Sequence, residues 1–127
     1  MWDHKAQQRE HNERLRGWIL YFLYQNRPKP LEMAGLMRLL DRRNFPLSRR
    51  RLAAEVDYLR SLRLVRVFPT CAEAEMDEVQ QAKLTQRYAE ADHDGEMPDT
   101  LSVRVTTAGI NLQDGTVPEM AGILRVE

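Results

Sequence analysis

The chain has 127 residues, 43% hydrophobic and 30% charged, and its 19 basic and 19 acidic side chains cancel to a net charge of zero. That length fits one domain around one modest core, and no apolar run approaches the roughly 18–20 residues a bilayer span needs, the longest being Trp18–Tyr24. Cys71 is the only cysteine, which excludes an internal disulfide and a multi-thiolate metal site; with no secretory pattern in Met1-Trp2-Asp3-His4-Lys5, a cytoplasmic location is expected.

In chain order, Asp3 to Gln25 contains no proline, and Leu15, Trp18, Ile19, Phe22 and Leu23 recur at helical spacing, which predicts a first helix with one apolar stripe. Residues 3–14 are almost wholly polar and read as its exposed extension, a mixed solvated face of Arg9, Arg14 and Arg16 with Glu10 and Glu13. Asn26-Arg27-Pro28-Lys29-Pro30 ends it, because closely spaced prolines cannot continue a helix. A second helix is expected from about Leu31 to Arg43, then a turn at Asn44–Leu47. Ser48 stands as an N-cap before Arg49-Arg50-Arg51 and a third helix to about Leu62. Its buried stripe is expected to be Leu52, Val56, Leu59 and Leu62 or Arg63.

Leu64 to Phe68 alternates apolar and basic residues and predicts a strand ended by Pro69; Leu101 to Thr106 is its counterpart. Between them, residues 72–91 lack proline and glycine, and Met76, Val79, Lys83 and Arg87 trace a weak amphipathic helix. A continuation of the strands is the alternative there. Thr107 to Gln113 suggests a last helical turn before Gly115 and Pro118, with an extended tail from Gly122.

The charges are unevenly placed. Residues 1–69 carry +8, residues 70–99 carry −7 and residues 100–127 carry −1. A basic front half attracts polyanions, although uneven surfaces are also common in proteins that bind none.

Three helices followed by a two-stranded ribbon make an α+β, mainly α order, that of the winged helix-turn-helix, in which the third helix enters the major groove and the ribbon meets the backbone or minor groove. Leu52-Ala-Ala-Glu-Val-Asp-Tyr-Leu-Arg-Ser-Leu-Arg-Leu-Val-Arg-Val resembles the helix-to-wing passage of bacterial winged-helix regulators, with Arg63 where those have glycine. Val105-Thr-Thr-Ala-Gly-Ile110 is similar to the step after their wing. The ending from Gly109 to Ile123 resembles short proteins of Mu-like phages and prophages, with Glu119-Met-Ala-Gly-Ile123 in place of their Pro-Gly-Ile. The resemblance implies one winged-helix domain over 1–127: a polar helical extension (1–14), a three-helix core with the first wing strand (15–69), an acidic wing insertion (70–99), and the second wing strand with the tail (100–127).

On that arrangement the residues expected to meet double-stranded DNA are Arg49, Arg50 and Arg51 at the start of the third helix. Arginine there can pair with guanine edges or phosphates, and a helix N-terminus favours an anionic phosphate. Cations at that end oppose the helix dipole, so three in a row ask for a justification, unless they merely solvate the helix start. With Leu52, Val56 and Leu59 inward, Arg50, Ala54, Asp57 and Ser61 point outward, flanked by Arg51 and Ala53, and the two small alanines would admit a close approach. Asp57 opposes phosphate unless it pairs with Arg60 or reads cytosine. Arg43 and Lys29, with Arg27 and Arg42, are supporting cations. Arg66 and Arg104 lie on the expected wing strands, where they are equally the solvent face of a ribbon.

Three readings of the acidic insertion stand open: a solvated excursion of the wing, a site for a protein partner, or a competitor of DNA for the basic face. Since its charge would oppose wing-to-backbone contact, it is expected to point away. The polar extension of the first helix is expected to pair with a second copy. Neither catalysis, a metal nor a cofactor is expected: His4 and His11 lack a third ligand, His93 sits in a turn-like stretch, Cys71 has acidic neighbours that disfavour thiolate, and no phosphate loop or zinc spacing occurs. The expected function is therefore double-stranded DNA binding in transcriptional control or a phage DNA transaction. The alternative is a non-catalytic protein-interaction module on the same scaffold.

Overall fold

Nothing between His4 and Gln25 interrupts helical hydrogen bonding, and in the computed structural model these residues form one helix, α1. The structure describes residues 4–70, 76–90, 101–115, 120, 122–124 and 126. The fold is α+β and mainly helical, with five helices and a three-stranded antiparallel sheet among the described residues. Leu15, Ile19, Leu20 and Leu23 of α1 are buried, whereas Lys5 to Glu10 are exposed. The apolar stripe therefore governs only the second half of the helix, and the polar half overhangs the core as its composition predicts.

The next element departs from expectation. Leu31–Glu32 is a short strand, β1, and the second helix, α2, begins only at Met33 and runs to Arg42. β1 is zipped to a later strand through Leu31 opposite Val103 and Glu32 opposite Ser102. Two residues are too few to show a period of two, so only the tertiary pairing reveals them. Helix α3 spans Arg49–Ser61, and the Ser48 side chain accepts from the Arg51 amide at 3.1 Å, the N-cap that the sequence predicts.

Strands β2 (Val65–Pro69) and β3 (Leu101–Val105) pair in antiparallel register, giving the order β1-β3-β2. Val65, Val67, Leu101, Val103 and Val105 are buried and share one face, towards a core filled by Leu36 and Leu40 of α2, Leu52, Val56 and Leu59 of α3 and the apolar half of α1. Thr106 then caps α5 (Thr107–Asp114), and Gly115 stops it in the left-handed conformation, φ 82°. The Tyr24 hydroxyl donates to the Asp114 carboxylate, joining the ends of α1 and α5, and this bond raises the pKa of the phenol above its ordinary 10.0.

Helix α4, Glu78–Glu90, resolves the alternatives left open for the acidic segment in favour of a helix. Its buried side is not the expected stripe. Gln81, Thr85 and Tyr88 are buried while Val79 is 61% exposed. The choice follows from what it covers. Gln81 Oε1 accepts from the Val67 amide at 3.1 Å and its Nε2 donates to the Met76 carbonyl at 3.0 Å, so a polar side chain satisfies a backbone donor of β2 that β3 does not reach. The expectation that the segment points away is thereby corrected: α4 lies directly on α3, in the most extensive packing between any two helices. Residues 71–75 and 91–100, with Cys71 and His93, lie outside the described residues.

Two backbone details set stability. Gly17 faces the tail: a β-carbon there would come within 1.8 Å of the Leu124 carbonyl oxygen, beside the bond from the Leu124 amide to the Glu13 carbonyl. Gly17→Ala should gain helix propensity yet lose the tail contact, for a net destabilisation of about 1–2 kcal/mol in urea titration. Arg63 sits just past α3 with φ 63°, a left-handed position that disfavours a side chain. Arg63→Gly should raise the unfolding midpoint by the equivalent of about 0.5–1 kcal/mol, because the Arg63–Glu78 ion pair it removes is largely exposed and worth little.

Candidate nucleic-acid interface

The three arginines that open α3 have three different fates. Arg51 is half-buried and turned back along its own helix: its Nε donates to Glu55 Oε2 at 3.0 Å, and its guanidinium also donates to the Asn12 side chain of α1. Arg49 is half-buried, with its guanidinium 4.8 Å from the centre of the Tyr88 ring of α4, a cation–π contact. Arg50 is exposed, and no hydrogen bond or ion pair joins it to another described residue. A run of like residues is thus divided between fastening α1, meeting α4 and standing open.

The outward face of α3 is equally divided. Ala54 is exposed as expected, but Ala53 is 1% exposed and belongs to the core cluster. Placing it beside the open face is corrected: α4 closes that flank. Arg50, Ala54 and Asp57 line a groove of about 300 Å³ whose other wall is Ala82, Gln86 and Ala89 of α4. The small side chains on both walls allow the two helices to approach closely. Asp57 is not a free carboxylate; it accepts from Arg60 Nε at 2.8 Å, which removes much of its repulsion for a polyanion. Arg60 is itself buried and donates through its other arm to Glu78 Oε1 at 2.8 Å.

Around this helix the supporting cations lie in three places. Arg43, exposed at the end of α2, lies 4.5 Å over the Trp18 ring and shares a cleft of about 490 Å³ with Arg14, His11 and Phe45. The cleft unites the overhanging half of α1 with the turn between α2 and α3, a juxtaposition absent from the sequence pattern. Glu10 also lines it and pairs with Arg14 at 3.3 Å. Lys29 is exposed in the turn before β1. Arg66 and Arg104 are half-buried and directly opposite each other across β2 and β3. Arg104 lies 5.5 Å from the Phe68 ring centre.

Sequence reasoning missed Glu55. Its carboxylate is buried and holds Arg16 Nε at 2.6 Å on Oε1 and Arg51 Nε at 3.0 Å on Oε2. Arg16, expected among solvated residues of α1, instead stacks 4.0 Å over the Tyr58 ring and donates to the Gly122 carbonyl at 3.1 Å. The signal available was a glutamate one turn after Arg51 on the flank of an apolar stripe. His11 is tilted against Phe45, ring centres 5.1 Å apart, and among the described residues no group of three or more His, Cys, Asp or Glu is placed to hold a metal ion. No described helix is long and apolar enough to cross a membrane.

No family model matches the chain, and no curated protein or solved structure is significantly similar to it.

Glu55→Gln should keep the shape and leave two guanidiniums without their shared anion. Because Arg16 and Arg51 retain 18% and 36% side-chain exposure, the loss should be roughly 2–3 kcal/mol, below the range for fully buried pairs, read from the denaturant midpoint.

Proposed function

We propose that the chain is a winged-helix protein that binds double-stranded DNA without catalysing a reaction. The observation that carries this reading is the path of the chain through its sheet. A helix, a short strand, a helix, a turn and a helix are followed by an antiparallel pair, and the short strand β1 closes onto β3. That path, with α4 inserted between the paired strands and α5 after them, supports the winged-helix reading, and it brings the end of α2 and the start of α3 around one turn, as in helix-turn-helix readers. Arg42, Arg43, Arg49 and Arg50 flank this turn. Phosphate contacts fall to Arg43, Arg50 and Lys29, which are exposed, with Arg66 and Arg104 on the paired strands. The exposed first turns of α1 offer a surface for a second copy, which would present two such corners to one duplex. Transcriptional control and a phage DNA transaction are the two settings the sequence resemblance implies.

A protein-interaction module is the second reading, favoured by one observation: α4 already lies on the face of α3 that would read bases. On this reading the scaffold serves a partner protein through the acidic 70–99 segment.

Fluorescence anisotropy with a labelled duplex separates them. Binding should weaken steeply as salt rises, and Arg43→Ala and Arg50→Ala should each weaken it and lower the salt slope by about one. No binding at about 50 mM salt, where phosphate contacts are strongest, would remove the DNA reading and leave the interaction module.

A further inference from the structure

From the geometry we infer that α4 is a built-in occluder of α3, and that DNA and α4 compete for the same helix face. The inference rests on the DNA reading above and specifies how that site is regulated.

The contacts α4 makes are those a nucleic acid would otherwise make. A groove-reading helix offers DNA its N-terminal cations, its small outward residues and the cations further along it. On α3 most of these meet α4, Arg51 being turned instead to Glu55 and Asn12. Arg49 meets the face of Tyr88. Ala53 is sealed, and Arg50, Ala54 and Asp57 face Ala82, Thr85 and Gln86 across the groove. The Glu78 carboxylate takes Arg60 on one oxygen at 2.8 Å and Arg63 on the other at 3.3 Å, as a phosphate would. Helix α4 covers the Arg49, Ala53 and Arg60 flank of α3 and leaves Arg50 and Ala54 at the open rim of the groove. A duplex can touch the rim but cannot seat on the whole face while α4 stays.

The way α4 is held suits displacement. Only Tyr88 of α4 belongs to the buried core cluster, with Leu84 and Ala89 partly covered. The other two buried contacts are the polar Gln81 and Thr85. The leucines and valines that hold α1, α2, α3 and the sheet together lie elsewhere. Although α4 packs on α3 more extensively than any other two helices pack, little of that contact is buried apolar side chain, and such a helix opens at lower free energy than the core around it. Ion pairs make up part of its hold, and phosphates can replace the carboxylate in each.

Thr85→Glu tests this in the full chain. Thr85 is 2% exposed, so a glutamate there unseats α4; it also adds negative charge, which by itself would weaken DNA binding. The expected result is about tenfold tighter binding of a two-turn duplex than wild type, the factor for an open form populated at about a tenth. Adding Arg50→Ala should remove that gain. In wild type, saturating DNA should speed hydrogen exchange of amides 78–90. Equal or weaker binding by Thr85→Glu, with those amides exchanging fast and both proteins binding in an Arg50-dependent way, would overturn occlusion and spare the DNA reading. Absence of binding by either protein, with α4 demonstrably released, would overturn the DNA reading and occlusion with it. Where Thr85→Glu does not melt cooperatively, Ala82→Glu on the same wall takes its place. Unchanged protection of 78–90 in DNA-saturated wild type overturns occlusion on its own.

Discussion

The fastening of α3 to α1 and to the tail depends on one buried carboxylate. Glu55 stands between Arg16 and Arg51 and takes one guanidinium on each oxygen. Through Arg16 the same cluster reaches the tail at Gly122 and the ring of Tyr58; through Arg51 it reaches Asn12. Desolvating a lone carboxylate is costly, and two well-placed cations offset that cost only when their geometry is held. The buried stripe of Leu52, Val56 and Leu59 sets which face of α3 turns inward. The ion triad adds fixed partners at the edge of that stripe and ties α3 to α1 and to the tail.

That constraint leaves α3 with an outer face of alanines and arginines, and α4 is shaped to it. A reciprocal cap starts α4, the Asp77 side chain accepting from the Gln80 amide at 2.8 Å and Gln80 Oε1 accepting from the Asp77 amide at 3.1 Å. Once started, the helix places Gln81 on the backbone of β2 and Tyr88 near Arg49. The acidity of the segment is therefore not spread along α4. Within the helix Lys83 and Arg87 balance Glu78 and Glu90, and only Glu78 is spent on α3-side cations.

Much of the fold was legible because local rules were enough. The α1 stripe, the Ser48 cap, the alternation in β2 and β3 and the stop of α5 at Gly115 each follow from a few neighbouring residues. β1 was not legible, since two residues acquire strand geometry only by pairing with Val103 and Ser102. The buried side of α4 was not legible either. Hydrophobicity points to Val79, yet the side that packs carries Gln81 and Thr85, because one must meet a backbone amide and the other donates within its own helix, to the Gln81 carbonyl at 2.9 Å. The Asp77–Gln80 cap was readable in principle as a D-x-x-Q start signal. For the candidate site, the identities of the cations were visible but their partners were not. Arg49, Arg50 and Arg51 differ only in which neighbour the helix turn gives each.

The misreading of Ala53 shows why such a face is ambiguous from sequence. Small residues beside arginines on a helix permit close approach of something flat and anionic, or of another helix with small residues of its own. Both remove water from the same atoms, and both reward the same composition. What separates them is the approaching surface: Ala82 and Ala89 stand across the groove from Ala54, while Tyr88 covers Arg49 and Glu78 holds Arg60. A helix that only buttressed α3 would need the alanines. It would also gain from the Glu78 carboxylate on the buried Arg60, whose charge needs a partner, whereas the Arg63 arm is largely exposed and adds little. The contacts between α3 and α4 therefore suit a buttress and a stand-in for a polyanion alike, and only displacement of α4 by DNA tells the two apart.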